Sequence, residues 1–172
     1  MTQITLLKDF RISTLGHLTA PACLGLAERT FGKESPEYKA VQNFTKDKRA
    51  GFVASVRGFV VGFVVYDNRQ RDKAEVLAFA VHRPDRRQGI GRLLMSKVAK
   101  GPRAEVAIKV DDGLLDAHLF LRSQGFRAVE IERGKHTKYV FTKTTDCTVA
   151  VKQDVLNPKT LQHRGVRHEN VH

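Results

Sequence analysis

The stretch VLAFAVHRPDRRQGIGRLLM, residues 76 to 95, carries three local instructions in a row. Glu75 to Val81 reads as a strand, whose simple alternation puts Glu75, Leu77, Phe79 and Val81 on one face and Val76, Ala78 and Ala80 on the other. His82 to Gln88 is a polar loop, and from Gly89 to Lys100 the residues Ile90, Leu93, Leu94, Lys97 and Val98 recur at helical spacing. Two glycines opening a helix, with arginines beside them, describe a backbone built to meet an anion. A dinucleotide fingerprint would need a third glycine where Leu94 stands, and a P-loop would need Gly-Lys-Ser/Thr at the end of the loop. Neither is there. What remains is a strand, Arg86-x-x-Gly89-x-Gly91 and a helix, whose successive amides point at a pyrophosphate. The helix dipole adds about 0.3 to 1 kcal/mol. Charge-assisted bonds from Arg86, Arg87 or Arg92 add about 1.5 to 3 kcal/mol each in a partly dry site.

Working outward, Ile4 to Ile12 alternates loosely as a first strand. Thr19-Ala20-Pro21 starts a helix carrying Leu24, Ala27 and Phe31, and Ser35-Pro36-Glu37 starts a second with Tyr38, Val41 and Phe44. Phe52 to Val56 and Phe59 to Tyr66 are strands joined through Arg57-Gly58, a two-residue hairpin connection. After the motif come a strand from Ala104 to Val110, a helix from Leu114 to Ser123 stopped by Gly125, and strands at Arg127 to Glu132 and Tyr139 to Thr142. The order β-α-α-β-β-β-α-β-α-β-β predicts an α/β protein with a mixed, mostly antiparallel sheet flanked by helices and one crossover after the glycine loop. Residues 1–143 are expected to form the single domain, and 144–172, which lose periodicity, a mobile tail.

The 172 residues allow one domain with a proper core, and the net charge of +12 favours anionic partners, among them nucleic acid and the ribosome. Between Arg83 and Arg103 there are seven Lys/Arg and one acidic residue, a local net of +6, so half of the excess charge lies around the loop. Lys8, Asp9 and Arg11 break the early apolar residues, which argues against a signal peptide. The longest apolar run, Phe59 to Tyr66, is far short of the roughly 20 residues of a membrane helix. Cys23 and Cys147 have no metal-ligand spacing, and neither do His163, His168 and His172, so no metal is expected. A soluble protein of the reducing cytoplasm is the expectation.

The stretch at 76 to 95 resembles the acyl-CoA motif of the GNAT superfamily of acetyl-CoA-dependent N-acetyltransferases. LFLRSQGFRAV, residues 119 to 129, is similar to that superfamily's helix followed by Gly-Phe, and the element order fits its fold from about residue 4 to 143. The resemblance implies that the amides of Gln88, Gly89, Ile90, Gly91 and Arg92 hold the pyrophosphate of acetyl-CoA. It also implies that the backbone from Phe79 through Ala80 to Val81 meets the pantetheine arm, in a splay between this strand and the one at 104 to 110.

Acetylation of an amine by direct attack needs a base for the ammonium proton and, ideally, an acid for the departing thiolate. Glu75 is the base expected here, because AEVLAFAV resembles the segment whose glutamate is the base in the histone-acetylating branch. Tyr139 is the expected acid. His82 reads as a loop residue. The ribosomal-protein N-terminal alanine acetyltransferase branch looks most similar overall, but its usual glutamate and tyrosine fall at Lys109 and Leu121. A lysine is no carboxylate base and leucine has no proton to give. The expected function is acetyl transfer to a primary amine, a protein N-terminus or lysine before a small molecule. The other class that fits is a catalytically degenerate, basic GNAT-fold protein that binds CoA, nucleic acid or the ribosome.

Overall fold

The structure is a computed structural model and describes residues 10–145. Seven strands and four helices follow in the expected order. They are β1 (Phe10–Thr14), α1 (Ala20–Phe31), α2 (Pro36–Gln42), β2 (Ala50–Val56), β3 (Phe59–Asp67), β4 (Lys73–Val81), α3 (Ile90–Ala99), β5 (Glu105–Asp111), α4 (Leu115–Ser123), β6 (Arg127–Glu132) and β7 (Lys138–Thr144). The first strand covers only the end of the expected Ile4 to Ile12 segment, and the earlier part of it lies outside the described residues. At the other end β7 runs past Lys143, and buried Thr145 donates its amide to Ala104 O at 2.8 Å and its hydroxyl to Arg103 O. The expected tail, with Cys147 and the three late histidines, otherwise falls outside the described residues.

Local chemistry accounts for several of the element boundaries. The Ser35 hydroxyl accepts the Tyr38 amide at 3.0 Å and caps α2. Thr19 precedes α1 without capping it, because its hydroxyl donates to Gly16 O instead. Arg57 and Gly58 both have positive φ, at 50° and 85°, the turn geometry that matches the twist of the β2–β3 hairpin.

The sheet order is β1-β2-β3-β4-β5-β7-β6, antiparallel everywhere except between β4 and β5. That one parallel pair is the crossover carried by α3. One face is covered by α1 and α2, where Cys23, Leu26, Ala27 and Val41 pack on Phe63, Val65, Ala78 and Ala80. The other face is covered by α3 and α4, where Ile90, Leu94, Val98 and Leu121 pack on Val64, Val76, Val106 and Phe141. Burial pushes the Cys23 thiol up to about 12, so it behaves as a small apolar side chain of α1.

One sequence expectation fails inside β4. Val65 pairs with Ala78 and Tyr66 with Val76, so Leu77 is an extra residue without a partner, a β-bulge. The bulge reverses the alternation. Ala74, Val76, Phe79 and Val81 belong with the α3/α4 core, while Leu77, Ala78 and Ala80 belong with the α1/α2 core. Glu75, between Ala74 and Val76, therefore faces the α1/α2 side and does not share a face with Phe79 and Val81.

Candidate active site

The parallel pairing of β4 with β5 covers only Lys73↔Glu105 to Val76↔Ile108. Beyond Val76 and Ile108 the two strands part, and a wedge opens toward their C-terminal ends. The His82 amide donates to Val61 O on β3 at 2.7 Å. Because backbone groups alternate along a strand, Ala80 shares that direction, and Phe79 and Val81 turn their N–H and C=O groups into the wedge. The Arg86 guanidinium donates from Nε to Val81 O at 3.0 Å, which ties the loop to the wedge's mouth.

Gly89 stands at the N-cap of α3 with φ 81° and ψ −3°, left-handed backbone that favours glycine. The first intrahelical bond runs from the Leu93 amide to Gly89 O at 3.0 Å, so the amides from Gln88 to Arg92 lie ahead of it with no helical acceptor. Gly91 serves a different purpose. A Cβ there would come within 3.1 Å of Phe79 Cζ and 3.3 Å of Phe120 Cζ. Those two rings stack with centroids 5.6 Å apart, and together they pack against the first turn of α3. Donors, dipole end and wedge suit a linear anionic ligand whose charged part meets the loop and whose thinner arm enters between the strands. Arg87, at φ 63°, is exposed and 3.9 Å from Asp116, and Arg92 opens a groove of about 1150 Å³ that continues past Ser96 and Lys100 to Lys143.

Glu75 sits one register step inside the end of the paired segment, at the vertex of the wedge. Its Oε1 is 3.9 Å from Lys109 Nζ, and the same ammonium lies 2.7 Å from Glu132 Oε1. The hydrogen bond that Lys109 donates to Glu132 holds its ammonium above the usual range against the opposing effect of desolvation. Tyr139 lies elsewhere. It pairs with Val110, packs against the α3/α4 core and meets the His118 ring edge-on at 5.1 Å. The fold therefore brings Glu75 to the vertex and leaves Tyr139 on the opposite face, one strand further from β4. Leu121 is buried in the core at 1% exposure. His82 Nδ1 is 2.8 Å from Asp85 Oδ2, which fixes the turn after β4.

Two residues of the site were not legible in the sequence. Phe120 lay inside the Gly-Phe segment, but its contact with Phe79 and Gly91 needs α4 to be folded over the wedge. Glu132 is brought in from the edge strand β6, and nothing in its local sequence marks it. Among the described residues there is no cluster of three or more His, Cys, Asp or Glu side chains able to hold a metal ion, and no helix is long and apolar enough to cross a membrane.

The model of the acetyltransferase (GNAT) family matches residues 20–126, most of the chain. Comparison with curated proteins gives no match. Among solved structures, the chain is similar to the ribosomal-protein-S18-alanine N-acetyltransferase from Escherichia coli, with a TM-score of 0.68 at 21% identity over 79% of this chain and 94% of that one. It is also similar to Arabidopsis thaliana NAA60 in complex with acetyl-CoA, with a TM-score of 0.69 at 15% identity over 79% and 98% of the two chains. An aminoglycoside 6'-N-acetyltransferase complexed with coenzyme A gives 0.67 at 14% identity over 78% and 96%. At these identities the likeness is one of fold. The match of the family model to the glycine loop, the wedge and the flanking helices makes this chain a member of the GNAT family, an acetyl-CoA-dependent N-acetyltransferase.

Proposed function

We propose that the protein acetylates a primary amine of a protein N-terminus or a lysine side chain by direct attack on acetyl-CoA, with Glu75 as the base. The observation that carries this reading is the position of Glu75 at the wedge vertex, facing the side of the sheet opposite to the glycine loop. Donor and acceptor then approach from different faces and meet at the vertex. The solved structures with the same fold include one named for an alanine of a ribosomal protein and NAA60 bound to a bisubstrate analogue, which supports a peptide acceptor.

In this reading the amides of Gln88 to Arg92 and the guanidinium of Arg87 or Arg92 hold the pyrophosphate, and the backbone of Phe79 and Val81 aligns the pantetheine arm. Acetyl-CoA supplies the activated acetyl group as a thioester. Glu75 takes the proton of the acceptor's ammonium so that a neutral nitrogen can attack. The new C–N bond forms as the C–S bond breaks, and the nitrogen's second proton passes through water to the departing thiolate. Tyr139, on the far face, has no role as the acid in this arrangement.

Calorimetric titration with acetyl-CoA, followed by thiol release with a panel of free N-terminal and lysine peptides, tests the reading. Micromolar binding and release with at least one peptide class are expected. Absence of acetyl-CoA binding would sink it.

A further inference from the structure

Lys109 stands on β5 immediately after the last residue paired with β4, so its ammonium lies beside the vertex. It is a primary ammonium between two carboxylates, 2.7 Å from Glu132 and 3.9 Å from Glu75. Glu130, on the same strand as Glu132, adds a third negative charge that acts on it. Along β5 on either side of this group, Lys73 lies 4.0 Å from Glu105 at one end, and Lys138 lies 3.8 Å from Asp111 at the other. The acceptor's reacting group is also a primary ammonium, and it too must reach Glu75 before it can lose its proton. Two like charges cannot share one carboxylate at contact distance without repulsion.

We propose that Lys109 is a specificity-determining residue, which occupies the carboxylates Glu75 and Glu132 in the acceptor-free protein and is displaced toward Glu132 and solvent by the acceptor's ammonium. The inference rests on Glu75 facing the acceptor, as in the function proposed above. Its geometry suits displacement. The Glu132 contact is short and the Glu75 contact is long, so the weaker arm is the one that must open. The Lys109 ammonium stays protonated at neutral pH, because the hydrogen bond it donates to Glu132 holds it above the usual range. It therefore competes as a cation and not as a nucleophile. The consequence is selection against acceptors that carry a second cation next to the reacting amine, since Lys109 remains nearby after it moves.

The first test needs no catalysis. In protein with isotope-labelled lysines, the side-chain NMR signal of Lys109, assigned with Lys109→Arg, should move saturably on titration with n-butylammonium chloride. It should not move with sodium chloride at matched ionic strength, and in Glu75→Gln the saturable response should disappear. Identical responses to the two salts would overturn the proposal. The second test is steady-state thiol release with n-butylamine as acceptor. Lys109→Met should lower KM for the amine roughly five- to tenfold, the low end of usual coupling between competing sites, with kcat changed far less. Lys109→Arg, which keeps the charge, should retain the wild-type KM. An unchanged KM in Lys109→Met with acetyl-CoA binding intact would also overturn it. Thiol release that fails with every acceptor, while the NMR response persists, supports the displacement and removes the acetyl-transfer reading.

Discussion

On the α3/α4 side of the sheet the proposed acetyl-CoA site is built from backbone: a left-handed glycine, a run of helix-start amides and the edge of β4 beyond its pairing with β5. On the α1/α2 side the proposed acceptor site is built from side chains, Glu75 of β4, Lys109 of β5 and Glu132 of β6, which span 58 positions of the chain. A site made of backbone depends on a few φ angles and on where side chains are absent, so it leaves a compact trace in the sequence. A site made of charged tips depends on strand order and register. It can change charge sign at one position while the strands beneath it stay the same.

The largest effect is expected at the base. Glu75→Gln should lower kcat by roughly 10²- to 10⁴-fold, the usual weight of a positioned proton acceptor, while acetyl-CoA affinity stays within about twofold of wild type. Thiol-release kinetics beside calorimetry give both numbers. A rate left intact would take Glu75 out of the mechanism and leave the vertex without a base.

The next largest effect belongs to the donor side. Gly91→Val would push a branched side chain into the Phe79 and Phe120 rings, 3.1 and 3.3 Å from the Cβ position. Overpacking of this kind costs about 1 to 3 kcal/mol, so acetyl-CoA binding and the urea midpoint should fall together. A fall in affinity with unchanged stability would mean that Gly91 is needed for the ligand and not for the rings.

Gly89→Ala isolates the backbone. No atom lies within 4 Å of a Cβ at this position, so its cost is the left-handed conformation alone, about 1 to 2 kcal/mol. If the loop keeps its shape only when ligand is bound, that cost emerges as roughly five- to thirtyfold weaker acetyl-CoA binding with little change in the free protein's melting temperature.

The smallest effect is electrostatic. The folded-state pKa of Lys109 is raised, so its contribution to stability is present below the unfolded lysine value of about 10.4 and is lost as pH rises through the folded value. The difference in urea midpoint between wild type and Lys109→Met should therefore be larger at about pH 8 than at about pH 11 or above. A difference that grows with pH would contradict the ion-pair account.

The element order was legible almost completely, because each helix and strand carries its own apolar period and its own stop signal. Ser35 and Arg57-Gly58 act within a few residues of themselves, and they do in the structure what their spacing predicts. The glycine loop was legible for the same reason. The faces of β4 were not. Alternation assumes an unbroken pleat, and the bulge at Leu77 arises from pairing with β3, which no property of Leu77 announces. Tyr139 stands out in the sequence as a tyrosine on a late strand, but its distance from the wedge is fixed by β5 lying between β4 and β7.

By itself, the sequence determined the order of elements and the glycine-opened helix start, because these depend on local φ preferences, amide exposure and periodicity. Only the tertiary structure decided which carboxylates meet at the vertex, that Glu75 turns away from Phe79, and that Lys109 bridges Glu75 to Glu132. Those outcomes depend on sheet order, register and one unpaired residue, and such long-range pairings are set by packing of the whole sheet.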